Sequence, residues 1–119
     1  MNTYPQKDEQ IELRVLNWLA DKGFQLVKRN WKYCHDSVDI IATRLGELHF
    51  IGITTRHLPG QHMIDGQSIT RRRMLSFLQA SQQYLKRNPQ WKNVTIDVLT
   101  VTLMDDKPVS CCISRNLRV

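Results

Sequence analysis

The sequence lacks a long apolar run and holds few cysteines. No stretch approaches the roughly 18–20 consecutive apolar residues that a membrane-spanning helix requires, and residues 1–10 contain no apolar segment typical of a secretory signal. The three cysteines, Cys34, Cys111 and Cys112, are odd in number and two are adjacent, which is a poor disulfide framework and typical of a reducing compartment. We therefore expect a cytoplasmic protein that does not enter a membrane.

The spacings of a zinc site are also missing. His35 follows Cys34, but no C-x-x-C or H-x-x-x-H pattern accompanies the pair. If Cys111 and Cys112 lie on a strand, their side chains point to opposite faces of the sheet. We interpret all three cysteines as structural residues and expect no cofactor.

Length and composition indicate one basic globular domain over residues 1–119. Apolar residues make up 41% of the 119-residue chain and charged residues 24%, which is ordinary for a folded protein. Lysine and arginine outnumber aspartate and glutamate by 17 to 11, giving a formal net charge of +6. Such an excess on a small domain creates a positive field that attracts phosphate polymers or anionic membrane surfaces.

Apolar periodicity predicts an α/β fold in the order α-β-β-β-α-β(-β), a mixed sheet flanked by two helices. The helices cover residues 8–22, with Gly23 as a C-terminal cap, and from 68 or 69 to 87. The strands cover residues 24–33, 37–43, 47–55 and 94–103, with an edge strand over 109–114. Leu45-Gly46 suits a hairpin turn, and residues 57–67 form a loop. The apolar stripes of the two helices are Ile11, Val15, Leu16 and Leu19, and Met74, Leu75, Leu78 and Leu85.

Two basic groups are candidates for binding phosphate. Arg71, Arg72 and Arg73 fall in the first turn of the second helix, where the helix dipole makes cations unfavourable by about 0.3–1 kcal/mol each and where free amides bind anions. The second group, Lys28, Arg29 and Lys32, surrounds Trp31. This tryptophan either stacks on an unpaired base or, the interpretation we favour, packs under the first helix.

Acidic residues inside apolar segments are the candidates for chemistry. Asp39 lies between Val38 and Ile40 in a predicted strand, where a carboxylate is costly unless it is hydrogen-bonded, ion-paired or bound to metal. Asp97 poses the same question in the later strand, and Glu12 is placed to face inward from the first helix. The element order allows Glu12, Asp39 and the strand after Asp39 to come together.

Taken together, these motifs resemble the YraN-like family of predicted endonucleases over about residues 8–103. The matching positions are Glu12, Trp18-Leu19, Lys22-Gly23-Phe24, Arg29-Asn30-Trp31, Val38-Asp39-Ile40-Ile41, Phe50-Ile51, Thr55-Arg56, Arg73, Ala80, Tyr84-Leu85 and Ile96-Asp97-Val98. The resemblance implies the restriction-endonuclease-like fold, shared with Holliday-junction resolvases. It also implies an Asp and a Glu that bind Mg²⁺, a Lys two residues after the Glu, and a homodimer as one possible assembly.

The chain departs from that family pattern in two motifs. The family's Glu-Val-Lys on the central strand is replaced here by Gly52-Ile53-Thr54, and of the family's Gly-Glu-Ile-Asp only the final acid remains, as Asp39. Magnesium sites usually contain one or two carboxylates, so Asp39 alone would bind the ion only weakly. The resemblance therefore implies a degenerate active site, unless Glu12 supplies a second carboxylate for Mg²⁺ or Mn²⁺ and Arg56 the positive charge.

Three functions are consistent with this pattern. The leading hypothesis is a catalytically degenerate nuclease-like protein that binds nucleic acid, DNA more than RNA, through Arg56, the helix-start arginines and the basic strand. The second is an active metal-dependent endonuclease that uses Glu12 and Asp39. The third is a protein–protein interaction module that keeps the fold and no longer binds nucleic acid.

Overall fold

The structure, a computed structural model, describes residues 4–58 and 71–118. Its elements are α1 (Tyr4–Asp21), β1 (Gln25–Tyr33), β2 (Asp36–Arg44), β3 (Glu47–Leu58), α2 (Arg71–Arg87), β4 (Val94–Met104) and β5 (Lys107–Arg118). This order confirms the predicted mixed α/β fold, including the edge strand. Neither described helix has the length and apolar character needed to cross a bilayer.

The five strands form one sheet in the order β1-β2-β3-β4-β5. All neighbouring strands are antiparallel except β3 and β4, which run parallel and have α2 between them in the sequence. A parallel pair needs such a long connection, whereas antiparallel strands can be joined by tight turns. At the predicted turn Leu45-Gly46 both φ angles are positive, 52° and 79°, as a type I′ hairpin turn requires.

The two helices cover opposite faces of the sheet, because neighbouring residues on a strand point to opposite sides. On β3, Phe50 belongs to the core under α2, and Ile51 belongs to the core under α1. The core under α1 is formed by Val15, Leu19, Phe24, Ile40, Ala42, Ile51, Leu99, Val101 and Leu103. The core under α2 is formed by Val38, Ile41, Leu48, Phe50, Phe77, Ala80, Tyr84, Val94 and Ile96.

The C-terminal end of α1 confirms the predicted glycine cap. The amide of Phe24 donates to the carbonyl of Leu19, and the amide of Gly23 donates to the carbonyl of Ala20, both at 3.0 Å. This pair of bonds is the Schellman motif, which needs a residue with positive φ. Gly23 has a φ of 91°, a conformation that glycine adopts without a steric penalty.

The predicted loop over residues 57–67 begins too early in the sequence-based assignment. His57 and Leu58 belong to β3, because β4 pairs with β3 as far as the Leu58–Met104 pair. The remainder of that loop, from residue 59, and the predicted helix start at 68 or 69 lie outside the described residues.

Two predicted packing positions also need correction. Leu75 is 54% exposed, because α2 turns Phe77, Ala80, Ser81 and Tyr84 toward the sheet, the i, i+3, i+4, i+7 spacing of a buried face. Trp31 is a packed residue, as favoured, but it lies under α2. Its ring meets that of Tyr84 edge-on at 5.3 Å between centroids.

The adjacent cysteines of β5 point to opposite faces, as predicted. Cys111 packs against the core under α1, whereas Cys112 is exposed. Burial raises the pKa of the Cys111 thiol, and nearby Arg14 opposes that shift. Cys34, in the turn after β1, is also exposed and free.

A buried polar pair joins β3 to β4 and explains how the Asp97 carboxylate is tolerated inside an apolar strand. Nδ1 of His49 lies 2.7 Å from Oδ2 of Asp97, and both side chains are at least 97% buried. The imidazole also packs edge-on against Phe24, at 5.0 Å between ring centroids, and its Nε2 lies 3.4 Å from Oε1 of Glu47. A carboxylate at this depth is tolerated because the histidine provides a hydrogen-bonding partner.

Replacing His49 with alanine is expected to lower the free energy of unfolding by about 3–5 kcal/mol, because it removes one partner of a buried pair. Urea denaturation of the wild type and the variant measures the loss. His57→Ala is the matched control, since His57 lies on the same strand at 3.9 Å from Asp106 but is about half exposed. Its expected cost is below about 1 kcal/mol, and equal losses in the two variants would contradict a structural role for the buried pair.

Candidate functional site

The candidate site lies beyond the Ile40–Ile51 pair, where β2 and β3 separate. We call this point, with Asp39 on β2 and Ile53 on β3, the fork. Backbone pairing between these strands runs from Arg44–Glu47 to Ile40–Ile51 and goes no further in the described register. Beyond that point the Asp39 carboxylate replaces the missing backbone partner: its Oδ2 accepts a hydrogen bond of 2.7 Å from the amide of Ile53. A backbone amide that has lost its strand partner needs such an acceptor.

The position of the Asp39 carboxylate follows from a break in the strand pattern, where the side chains of β2 change the face of the sheet to which they point. On β2, Ile40 belongs to the core under α1, but Val38, two residues away, belongs to the core under α2. On β1, Arg29 pairs with α1, whereas Trp31 packs against α2. Between them, Asn30 has a φ of 50°, a left-handed conformation that asparagine adopts more readily than most residues. Asp39 lies at the reversal on β2 and reaches sideways to β3.

The cation that meets Asp39 is Arg73. Its Nη2 donates to Oδ2 of Asp39 at 2.7 Å and also to the carbonyl oxygen of Ile53. The Arg73 side chain is 46% exposed and that of Asp39 is 28% exposed. One guanidinium nitrogen therefore bridges a carboxylate and a backbone carbonyl, and it joins the start of α2 to the fork.

Glu12 lies in the same cavity as Asp39 but has its own arginine. Its Oε2 is 3.2 Å from Nε of Arg29. A cavity of about 390 Å³ lies in front of both carboxylates. Its lining residues are Ile11, Glu12, Asn30, Asp39, Ile53, Thr55 and Arg73.

The two positions at which the resemblance implies Glu and Lys, residues 52 and 54, provide neither group. Gly52 lines a small cavity of about 30 Å³ with Asp39 and Arg73, and Thr54 is 8% exposed. Arg56 is directed toward β4, where its Nη2 donates to Oγ1 of Thr102 at 3.0 Å. The structure thus brings Glu12 and Asp39 to one cavity and lines it with Arg73, while Arg56 bonds to the neighbouring strand.

These residues do not fit a divalent cation. In the described part of the chain no group of three or more His, Cys, Asp or Glu side chains is placed to hold a metal. Asp39 already bonds to the Ile53 amide and Arg73, and Glu12 already bonds to Arg29. A magnesium ion requires near-octahedral oxygen coordination, which this arrangement does not offer.

The helix-start arginines line a separate, larger cleft. Arg71, Arg72 and Arg73 line a cavity of about 790 Å³ together with His35, in the turn between β1 and β2, and Asp36, the first residue of β2. We call this cavity the arginine cleft. Arg73 also lines the Asp39 cavity, so it forms the wall between the two.

The basic residues of β1 lie on an edge strand. Lys28 and Lys32 are exposed, while Arg29 is committed to Glu12 at 3.2 Å. Lys32 pairs in register with Ser37, whose side chain lines the small cavity beside Asp39. Two of the three basic residues predicted on this strand are therefore exposed cations, and Lys32 is the one whose strand partner lies beside the fork.

Sequence reasoning missed two contributors to the site. Asn30 has a recognisable signal, because an asparagine inside a strand pattern favours a break in its regularity. The contact of Arg73 with Asp39 has no local signal, since the two residues are separated by 34 positions. The family resemblance includes Arg73 but neither Arg71 nor Arg72, yet it does not say which residue Arg73 contacts, because that depends on the rotation of α2.

A double-mutant cycle tests whether Asp39 and Arg73 are coupled. Asp39→Asn keeps an oxygen for the Ile53 amide and removes the charge, and Arg73→Met removes the guanidinium. We expect a coupling energy of about 0.5–3 kcal/mol, in the lower part of that range because Arg73 is partly solvated. The measurement is the free energy of unfolding of the wild type, both single variants and the double variant.

The pair of Glu12 and Arg29 provides a matched control for this cycle. It is also an acid–arginine contact, but it contains no backbone carbonyl in its described bonds and Arg29 is 49% exposed. Its coupling is expected below about 1 kcal/mol. If the Asp39–Arg73 coupling is no larger than that of the control, the fork does not depend on the pair.

Comparison with known proteins places the chain in a family. The uncharacterised protein family UPF0102 matches residues 11–101. A UPF0102 protein of Chlorobaculum parvum is 31% identical over 91 residues, which cover 76% of this chain and 70% of the relative. One from Chlorobium limicola is 29% identical over 103 residues, covering 82% and 78%, and one from Helicobacter pylori is 27% identical over 100 residues, covering 84% of each. The resemblance predicted from the sequence is thus confirmed, and the chain belongs to the uncharacterised family UPF0102, the YraN family.

Proposed function

We propose that this protein binds nucleic acid, DNA in preference to RNA, and does not hydrolyse it. The observation that carries the proposal is the bond between Arg73 and Asp39 at 2.7 Å in the fork. The acid that a metal-dependent nuclease of this kind would use is neutralised by the protein's own cation. The same helix turn that supplies this cation lines a cleft with further arginines.

The chemistry of the fork supports the absence of hydrolysis. Metal-assisted hydrolysis needs a Lewis acid and a group that activates or orients water. Gly52 has no ligand atom in its side chain, and Thr54 has only a neutral hydroxyl in a buried position. Arg73 cannot replace a group that accepts a proton from water, because a guanidinium offers hydrogen-bond donors and no acceptor.

The charge distribution supports phosphate binding. Arg71 and Arg72 are exposed at the start of α2, where they oppose the helix dipole by about 0.3–1 kcal/mol each before screening. Phosphates beside such residues would offset that cost, since both arginines and the helix start attract anions. Exposed Lys28 and Lys32 extend the positive surface along β1, and the net charge of +6 attracts polyanions at long range.

Binding to DNA is expected to weaken steeply with salt. Duplex binding releases counterions, and the slope of log K against log salt is about −0.9 for each phosphate contact. Fluorescence anisotropy with labelled duplex and single-stranded DNA of several sequences, measured from low to moderate salt, gives this slope. Affinity that does not change with salt, or no binding at low salt, would contradict the proposal.

The arginine cleft is tested by Arg71→Ala combined with Arg72→Ala. This double variant is expected to weaken binding alike for all sequences and to make the salt slope shallower by about two. The matched control, Lys86→Ala with Lys92→Ala, removes the same charge from two exposed positions, one in the last turn of α2 and one in the segment between α2 and β4. If both double variants weaken binding equally, net charge and not the cleft determines affinity.

The two remaining hypotheses are separated by further outcomes. With Mg²⁺ or Mn²⁺ we expect no cleavage of single-stranded or branched DNA beyond that given by Asp39→Ala. Cleavage by the wild type that Asp39→Ala abolishes would show an active nuclease. A nuclease-resistant pull-down of one acidic protein, with no DNA binding by the purified chain, would instead show an interaction module.

A further inference from the structure

Two oxygens in the fork point at the same nitrogen. Oδ2 of Asp39 and the carbonyl oxygen of Ile53 both accept a hydrogen bond from Nη2 of Arg73. A carboxylate oxygen and a backbone carbonyl oxygen that converge on one positive centre are also the ligand types of a hard divalent cation. The guanidinium thus occupies the place where these two oxygens would hold a metal ion.

We propose that Arg73 is a tethered substitute for a divalent cation, and that its removal turns the fork into a cation-binding site. The inference concerns the protein alone and does not depend on nucleic-acid binding. It predicts that the wild type has no divalent cation at the fork even when such ions are supplied. It also predicts that the vacated position recruits one.

The fork needs a cation for physical reasons. Asp39 is flanked in sequence by Val38 and Ile40, which are fully buried, and its side chain is only 28% exposed. A carboxylate and a carbonyl oxygen that face one point repel each other unless a positive charge lies between them. The amide of Ile53 provides one hydrogen bond to Oδ2, but an amide is a dipole and does not neutralise the charge.

The position of Arg73 also favours substitution over incidental contact. A cation at the start of a helix is unfavourable with respect to the helix dipole, and the contact with the Asp39 carboxylate offsets that cost for Arg73. Its Nη2 approaches Oδ2 at 2.7 Å, a distance typical of a charge-assisted hydrogen bond. The Arg73 side chain lies between the arginine cleft and the Asp39 cavity and lines both.

Without Arg73, the cavity offers ligands for a weakly bound ion. Asp39 and the Ile53 carbonyl would provide two oxygens, Glu12 lines the same cavity of about 390 Å³, and water would complete the coordination. Glu12 remains bound to Arg29 at 3.2 Å, which limits its contribution. We therefore expect the ion to bind weakly, because affinity falls with the number of charged ligands.

Arg73 could instead serve only as a structural contact, or pin, between α2 and the sheet. That role predicts a different response of the Arg73→Met variant to metal ions. Loss of a pin destabilises the protein, and no metal ion restores the loss. Loss of a tethered cation destabilises the protein, and a divalent ion restores part of the stability through Asp39. The two roles therefore differ in whether metal rescues the variant and in whether the rescue requires the carboxylate.

The experiment uses Mn²⁺, whose unpaired electrons make bound and free ions distinguishable by electron paramagnetic resonance. Mn²⁺ is titrated into the full chain as wild type, Arg73→Met, Asp39→Asn, and Arg73→Met combined with Asp39→Asn. Thermal unfolding of each protein is measured in parallel, with and without Mn²⁺ at constant ionic strength. Lys86→Met, which removes one exposed charge from α2, is the control for a general change in net charge.

The expected result is one Mn²⁺ ion bound by Arg73→Met and none at the fork of the wild type, the double variant or Lys86→Met. Mn²⁺ should raise the unfolding temperature of Arg73→Met alone. Mn²⁺ binding by the wild type that disappears in Asp39→Asn would overturn the proposal, because Arg73 would then give way to the ion. Failure of Arg73→Met to bind Mn²⁺ above the double variant would overturn it as well.

If Arg73→Met does not fold without metal, refolding decides the question. Refolding in Mn²⁺ that is lost when Asp39→Asn is added supports the proposal, and no refolding in Mn²⁺ contradicts it. Arg73→Lys gives a second measure, because it keeps a cation at the fork and should exclude Mn²⁺ as the wild type does. DNA binding is measured separately on the wild type, so a failure of the proposed function leaves this result unaffected.

Discussion

The hydrogen bond from the Ile53 amide to the Asp39 carboxylate, 2.7 Å long, joins two strands at the point where their backbone pairing stops. Beyond this point β3 continues alongside β4 as far as Leu58, while β2 remains paired with β1 as far as the Tyr33–Asp36 pair. The carboxylate therefore substitutes for a strand neighbour on an amide that would otherwise be unsatisfied. Arg73 bonds to the same two residues, because it donates to Oδ2 of Asp39 and to the carbonyl oxygen of Ile53.

The positive charge of the protein is divided between two uses. Arg73 and Arg29 are committed to Asp39 and Glu12, so each carboxylate of the cavity already has a cation. Arg71 and Arg72 stay exposed on the same helix turn. The first use stabilises the fold, and the second leaves a basic surface beside it. A count of charges cannot separate these uses, because consecutive arginines differ only in their angle around the helix.

Periodicity and turn chemistry were sufficient to predict the fold, because each helix and strand carries its own local signal. The glycine cap of α1 and the turn at Leu45-Gly46 follow from the backbone freedom of glycine. Contacts between distant elements carry no such signal. His49 and Asp97 are 48 positions apart, and their meeting depends on the register of two parallel strands. Asp39 was recognisable as a costly buried acid, but its partner depended on the rotation of α2.

The fork changes what the presence of Asp39 implies. If Asp39 were only the remnant of a catalytic site, it would be a partly buried charge without a partner, which is costly unless it is compensated. Here Asp39 accepts from the Ile53 amide and from Arg73, so replacing it alone would leave a backbone donor and an arginine with one acceptor fewer. Such a loss typically costs about 1–3 kcal/mol. The fold thus has a structural reason to contain this carboxylate that is independent of hydrolysis, and an acid at this position does not by itself indicate an active nuclease.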